Sequence, residues 1–183
     1  MSNFVYIATS LDGYIADVDG GVEWLHSVPN PEGNDFGFGA FMESIDALVM
    51  GRKTYESILS FNLDLSTQWP YPKPVYVVSA SPITVPTELE GKVFSLTVAE
   101  PAAIVAELAQ QGHHHLYIDG GRTIQGFMAA GLVDEMVISQ MPIVLGGGVP
   151  LFGELTEQQT FELVSSEVLL EAIVKSHYRR KAA

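Results

Sequence analysis

The stretch from Leu116 to Gly131, Leu-Tyr-Ile-Asp-Gly-Gly-Arg-Thr-Ile-Gln-Gly-Phe-Met-Ala-Ala-Gly, constrains this chain more than any other. It opens as a short apolar strand, Leu116 to Ile118, and breaks at Gly120-Gly121. Ile124, Phe127 and Met128 then follow at helical spacing, with Gly131 as a C-terminal stop. A strand that runs through two glycines into a helix leaves backbone N–H groups uncovered at the helix start. The helix dipole adds partial positive charge there, so the junction suits an anion such as phosphate. Arg122 adds a full charge beside it. A Gly-Gly pair after a strand also makes an ordinary tight turn, so the reading depends on the rest of the chain.

Similar junctions recur. Phe4 to Ala8 reads as a first apolar strand. Ala47 to Met50 reads as a second, passing through Gly51-Arg52-Lys53-Thr54 into a helix from Tyr55 to Leu59. Pro74 to Val78 is a third, closed by Ser79-Ala80-Ser81. Continuous apolar runs of this kind suit strands buried on both faces. Asp12-Gly13 and Asp19-Gly20-Gly21 are turns, and Pro29 to Asn34 is a loop after which Asn34 or Asp35 can cap a helix. Phe38, Phe41, Met42 and Ile45 share a helical face, and Asn62 to Lys73 is a long polar loop. Val93 to Leu96 is a weaker strand, Ala102 to Gln111 an amphipathic helix with Pro101 in its first turn, and Glu135 to Ser139 a further strand. Phe161–Leu170 and Ala172–Arg180 pair as a hairpin through Glu171. The alternation predicts an α/β fold with a mainly parallel central sheet, an antiparallel C-terminal edge hairpin and flanking helices. At 183 residues, with no internal repeat or composition break, residues 1–183 read as one domain.

The net charge of −13 argues against nucleic acid or an anionic membrane surface as partner, since both call for a basic face. It also sharpens the anion question. Of nine Lys and Arg residues, four (Lys175, Arg179, Arg180, Lys181) crowd the C-terminal end. An anionic ligand must then be held by a few placed cations and by backbone N–H groups. No apolar run reaches the ~20 residues that span a bilayer. The N-terminus carries no basic leader and the chain has no cysteine, which fits a cytoplasmic location. His113-His114-His115 suggests metal, but in an extended segment only His113 and His115 share a face, and no carboxylate partner is evident. The run reads as a solvated loop and no metal site is expected.

Gly51-Arg52-Lys53-Thr54 places two cations where the dipole already favours negative charge, an arrangement that an anion would explain. Ser79 and Ser81 put hydroxyls at a third strand tip. Strand tips along one edge of a parallel sheet form the ligand crevice of α/β folds, and three such junctions suit a ligand with several phosphates. None fits G-x-G-x-x-G.

Four segments, Ser10–Ala16, Val49–Glu56, Tyr117–Arg122 and Pro142–Phe152, resemble in order and spacing the dihydrofolate reductase-like fold. Within it, they are most similar to the reductase domain of the bifunctional deaminase–reductase of riboflavin biosynthesis, including its small stand-alone versions. The resemblance spans essentially the whole chain. It implies a reductase that uses NADPH to deliver hydride to a small heterocyclic or ribosylaminopyrimidine-type substrate, acting as a homodimer. Arg52, Lys53 and Thr54, following Gly51, would hold the 2′-phosphate and pyrophosphate, with Ser79 and Ser81 near the adenosine. Gly120, Gly121, Arg122, Thr123 and Ile124 would cradle the pyrophosphate, Gly120-Gly121 through a cis peptide. Ala8 would pass behind the nicotinamide.

Asp35 falls where reductases of this fold keep a substrate-binding carboxylate that can relay a proton, and it is equally suited to cap a helix. Asp12 matches the family's Ser-Leu-Asp-Gly run and also suits a turn. Folate reductases clamp their substrate with an Arg after the second strand, whereas none lies between Arg52 and Arg122 here, which disfavours dihydrofolate reduction. The riboflavin-pathway domain usually has Lys in its first strand and Arg after Asp-Gly; these positions hold Tyr6 and Tyr14. A non-catalytic nucleotide-binding protein on the same fold is the remaining alternative. Trp24 and Trp69 either line the cleft or cover a core edge, and Met136, Ile138 and Leu145 permit an apolar dimer face.

Overall fold

The computed structural model describes residues 1–97 and 99–181. In chain order it contains β1 (Ser2–Thr9), β2 (Tyr14–Ala16), α1 (Phe38–Glu43), β3 (Ala47–Gly51), α2 (Arg52–Leu59), β4 (Val75–Val78) and β5 (Val93–Leu96). Then follow α3 (Pro101–Gln110), β6 (His115–Asp119), α4 (Gly121–Ala129), β7 (Glu135–Gln140), β8 (Val149–Pro150), β9 (Phe161–Leu169) and β10 (Ile173–Arg180). Eight strands form one sheet in the order β5-β4-β3-β6-β1-β7-β10-β9. The first six are parallel, and β10 and β9 close the edge antiparallel. This is the anticipated architecture, a mainly parallel sheet with a C-terminal edge hairpin.

The most apolar strand lies near the centre. Ala47, Leu48, Val49 and Met50 of β3 are fully buried, whereas β9 is exposed along nearly its whole length. Side-chain alternation divides the core in two. Val5, Val49, Leu116 and Ile118 pack with Ile104 and Leu108 of α3 and Ile124 and Phe127 of α4. Leu48, Met50 and Tyr117 pack with Met42 of α1 and Tyr55 and Ile58 of α2 on the opposite face. A third cluster, Trp24, Met141 and Ile173 with Ala8, Leu25 and Phe36 against it, covers the carboxyl ends of β1 and β7.

Several local expectations are corrected. Helix α1 ends at Glu43, so Ile45 is buried just beyond it rather than within it. Residues 14–16 and 149–150 form a second small sheet, β2 with β8, that the sequence pattern did not announce. The described peptide links include no cis bond, at Gly120-Gly121 or elsewhere. Gly120 instead turns the chain with φ 86°, a left-handed conformation that glycine adopts without steric cost. His113 and His115 do not share a face: His113 packs on Tyr76 and His115 on Phe4, which belong to opposite cores. The reason is that α3 turns at Gln111-Gly112, so β6 begins only at His115. A carboxylate does stand beside the run, because Asp46 Oδ2 accepts the backbone N–H groups of His114 and His115. Met136 is buried in the core and offers no dimer face. At the hairpin, Leu170 and Glu171 take φ 49° and 55°, two left-handed residues within the three-residue connection, 170–172, between the paired Leu169 and Ile173.

Candidate functional site

Strands β3 and β6 lie side by side, with Met50 opposite Asp119. Their helices leave for opposite faces of the sheet, α2 toward the α1 side and α4 toward the α3 side. Adjacent tips whose connections diverge open a crevice between them. Each helix has a glycine at its N-cap, Gly51 for α2 and Gly120 for α4, and among the described residues neither start has a side-chain cap. The first-turn N–H groups of Arg52, Lys53 and Thr54, and of Gly121, Arg122 and Thr123, therefore remain to be satisfied by solvent or a ligand.

The two junctions interlock. A Cβ on Gly51 would sit 3.0 Å from Thr123 Oγ1, and one on Gly120 would overlap Thr54 Oγ1 and come within 3.3 Å of Thr54 Cβ. Each Thr stands three residues after its own N-cap glycine and packs on the glycine of the other junction. The glycines thus let the two helix starts approach closely enough to act on one ligand. Gly121 is also covered: a Cβ there would meet Val149 Cγ1 at 2.7 Å and Ile15 Cδ1 at 3.3 Å, so β2 and β8 press on the first turn of α4. Ile124 is buried beneath it.

The next tip, that of β4, joins the same cluster. Val78 pairs with Gly51. Arg52 donates from Nη1 to Ser81 Oγ at 2.7 Å and from Nε to Glu56 Oε1 at 2.6 Å, and Ser79 Oγ donates to the Ser81 carbonyl at 2.7 Å. Arg52, Ser79 and Ser81 are thereby brought together, and Lys53 and Arg122 project as exposed cations beside them. Ala8 lies beyond β6 on β1, in one row with Ser139 of β7 and Lys175 of β10.

The two acids singled out in the sequence hold loops. Asp35 Oδ1 accepts Gly37 N–H at 2.8 Å and Oδ2 accepts Gly39 N–H at 3.0 Å, bonds that keep its carboxyl below the ordinary carboxylate value. Asp12 accepts the Ser10 hydroxyl at 2.6 Å, then Leu145 N–H at 3.1 Å and Gly146 N–H at 2.7 Å. Its pKa is likewise lowered, first by Ser10. It ties the first turn to the glycine-rich segment that carries β8 across α4.

A third acid, Asp119, has a different character. It ends β6 on the face shared with Tyr117, directly before Gly120, whose N–H donates to its Oδ1 at 2.8 Å. Burial pushes its pKa up to about 6, against the lowering effect of that single hydrogen bond. Tyr6, Phe38, Phe41 and Tyr117 form a wall of rings on the same face, Tyr6 stacked on Phe41 at 4.6 Å and Phe41 edge-on to Tyr117 at 5.2 Å. Tyr71, in contact with Trp69, feels the Asp119 charge from the long loop. A carboxyl poised near neutrality beside an aromatic wall is equipped to hold and release a proton. The sequence pattern alone gives Asp119 no role. The available signal was a carboxylate ending an otherwise apolar strand immediately before the glycine pair. Trp24 and Trp69 both have buried indole N–H groups that find no acceptor among the described residues. Trp24 covers the cluster around Ala8, and Trp69 packs against the α1-side core.

Among the described residues no cluster of three metal-ligating side chains is present. Nor is any helix long and apolar enough to cross a membrane.

Comparison with known proteins gives concordant results. The sequence model of the RibD C-terminal domain matches residues 4–175. A crystal structure from Shewanella sp. PV-4, described as that of a candidate riboflavin biosynthesis protein, is 52% identical over 100% of both chains, with a TM-score of 0.93. The Thermotoga maritima diaminohydroxyphosphoribosylaminopyrimidine deaminase/5-amino-6-(5-phosphoribosylamino)uracil reductase is 16% identical, with a TM-score of 0.72 over 98% of this chain and 56% of that one. Dihydrofolate reductase from Enterococcus faecalis, in complex with NADP(H), is 17% identical with a TM-score of 0.63, covering 99% of this chain and 97% of that one. The last two likenesses establish the dihydrofolate reductase-like fold.

Proposed function

The chain belongs to the RibD C-terminal domain family, and on that premise we propose that it is an NADPH-dependent reductase acting on a small pyrimidine-type heterocycle. The observation that carries this reading is the pair of uncapped helix starts, α2 and α4, interlocked through Gly51, Thr123, Gly120 and Thr54. Such a cradle fits a ligand with several phosphates, and a side chain at either glycine would fill it. The N–H groups of Arg52 to Thr54 and Gly121 to Thr123 would hold the pyrophosphate of NADPH. Arg52, oriented by Ser81 and Glu56, would take the 2′-phosphate through paired charge-assisted hydrogen bonds. When bound, the cofactor supplies hydride. The chain's own task is then to place the heterocycle against the aromatic wall and to deliver the accompanying proton. Asp119 suits that second role, since its carboxyl is protonated up to about pH 6. Asp35 shapes the start of α1, and Asp12 holds the β8 segment over α4.

Thermal unfolding with NADPH, NADH or no ligand tests the cofactor reading. A ligand that binds only the folded state raises stability by ~2.7 kcal/mol at a hundredfold excess over Kd, and NADPH should shift the midpoint more than NADH. Arg52→Ala should weaken NADPH by about 1–3 kcal/mol and leave NADH nearly unchanged. Equal losses for both nucleotides would remove Arg52 from the 2′-phosphate.

The protein is further read as a cytoplasmic homodimer. Val168 and Val174 face each other across β9 and β10 and are 66% and 41% exposed; Phe152, 47% exposed, lines a cavity of about 190 Å³ with Val174 and Tyr178. An apolar patch on an outer sheet face suits a second copy. Val168→Glu combined with Val174→Glu should yield a folded monomer by light scattering. A dimer that survives both charges would place the interface elsewhere.

A further inference from the structure

The segment from Pro29 to Gly37 is bonded chiefly to itself. Asn30 and Asn34 exchange two hydrogen bonds of 2.8 Å, Phe36 N–H donates to Asn34 Oδ1 at 2.7 Å, and Asp35 takes the N–H groups of Gly37 and Gly39. Among the described residues, its hydrogen bonds to the sheet converge on one atom, the Phe36 carbonyl oxygen. Tyr6 Oη on β1 donates to it at 2.5 Å and Lys175 Nζ on β10 at 2.7 Å. Phe36 is held in the left-handed region at φ 57°, a conformation that a residue with a bulky side chain keeps only when its surroundings enforce it. Gly37 follows with φ 85°, and a Cβ there would stand 3.2 Å from Lys175 Nζ and 3.6 Å from Tyr6 Oη. The Phe36 ring packs into the cluster that includes Ala8 and Trp24, so the segment lies over the row of Ala8, Ser139 and Lys175.

Two donors from different strands aimed at one oxygen, on a strained residue of an otherwise self-contained segment, make a site for an acceptor oxygen that the chain itself occupies. We propose that Tyr6 and Lys175 bind a neutral carbonyl oxygen of the substrate ring, which displaces the Phe36 carbonyl and releases the segment 29–37. The inference deepens the reductase reading and rests on it for the word substrate; the donor pair and its latch stand on geometry alone.

Charge decides between a carbonyl and a phosphate. Lys175 is already paired with Glu167 Oε1 at 3.1 Å, and its charge also acts on Asp35. A phosphate would bring up to two negative charges to one cation that two carboxylates already surround. A carbonyl brings none and uses the same two donors. Both remain donors at neutral pH. Burial raises the Tyr6 hydroxyl above its ordinary value despite the opposing Lys175 charge. Burial would lower Lys175, but its bonds to Glu167 and Tyr6 outweigh this and leave it above the ordinary lysine value.

Hydrogen exchange of the intact protein, resolved to residues 33–39, tests the latch. Lys175→Met and Tyr6→Phe are compared with wild type, using uracil as the neutral carbonyl probe and ribose 5-phosphate as the anionic one. Without ligand, each substitution should speed exchange in this segment roughly tenfold, the loss of one hydrogen bond, with β1 and β10 unchanged. Uracil should speed the same amides in wild type while ribose 5-phosphate does not, and uracil affinity should fall about tenfold or more in Lys175→Met. The inference is overturned if uracil leaves wild-type exchange unchanged, if ribose 5-phosphate releases the segment instead, or if the variants exchange at the wild-type rate. An NADPH thermal shift measured on the same samples keeps the two readings apart. Its preservation in Lys175→Met shows an intact fold, and its absence in wild type would sink the reductase reading while the exchange data still decide the latch.

Discussion

Asp119→Asn is expected to leave the protein more stable at pH 8 and far less active. The two effects share one cause. The carboxyl is held at about 6 in the fold against 3.8 as its ordinary value, so the native state favours the protonated form. Stability from this group is complete below the unfolded value of 3.8, declines as pH rises from there, and is lost above about 6. A neutral isostere avoids the cost of an ionised carboxyl in that position, on the order of 2 kcal/mol. Urea unfolding of wild type and variant at pH 4 and pH 8 would read this as a difference present only at pH 8. On the proposed reductase reading the reaction also needs the proton, and loss of a positioned acid typically lowers turnover roughly 100-fold or more. In wild type, kcat/KM should also fall about tenfold per pH unit above about 6, and this decline should vanish in the variant. A variant with wild-type turnover would return the proton-delivery role to Asp35 or to solvent. Equal stability of the two proteins at pH 8 would show that Asp119 is ionised without cost.

Asp119 is plain in the sequence, but its role is not. The strand before Gly120-Gly121 is legible because its apolar run, its glycines and the helical spacing after them are all local. The same holds for Gly51-Arg52-Lys53-Thr54, and the structure does gather Arg52, Ser79 and Ser81 at neighbouring tips. The elevated pKa of Asp119 depends on enclosure by parts of the chain that spacing cannot place, among them Tyr71 from a loop about fifty residues earlier and Tyr117 one pleat away. Asp35 shows the converse. Its position suggested both chemistry and a cap, and the bonds that the structure gives it, to Gly37 and Gly39, lie within four residues, where local sequence can announce them. The pairing of β2 with β8 leaves no mark in the sequence, because strands of three and two residues carry no periodicity and their partners lie more than 130 residues apart. Tyr6 was visible as a departure from the family pattern, but Lys175, which brings a cation to the same carbonyl oxygen, arrives from the other end of the chain.

The interlock of the two junctions makes the second strong prediction, and it can be separated into parts. Gly120→Ala should destabilise the protein by about 3–5 kcal/mol. Of this, roughly 1–3 kcal/mol comes from a side chain held at φ 86° and ψ 137°, and the remainder from overlap with Thr54. For a protein of this size the midpoint should fall by about 10 °C. Gly13→Ala isolates the first part, because Gly13 has φ 84° and, among the described residues, no atom within 4 Å of an added Cβ, so only the backbone cost remains. Thr54→Ala isolates the second, since it removes the overlapping hydroxyl. Combined with Gly120→Ala, it should recover much of the steric share while the strain persists, a coupling that a double-mutant cycle measures directly. Equal losses for Gly13→Ala and Gly120→Ala, with no coupling to Thr54, would mean that the junctions are not interlocked and that Gly120 serves only its turn. A large coupling would mean that neither helix start can move without the other. The cradle for a polyphosphate would then be a property of the packed core, in place before any ligand arrives, and its affinity would not be reduced by the cost of ordering a loop.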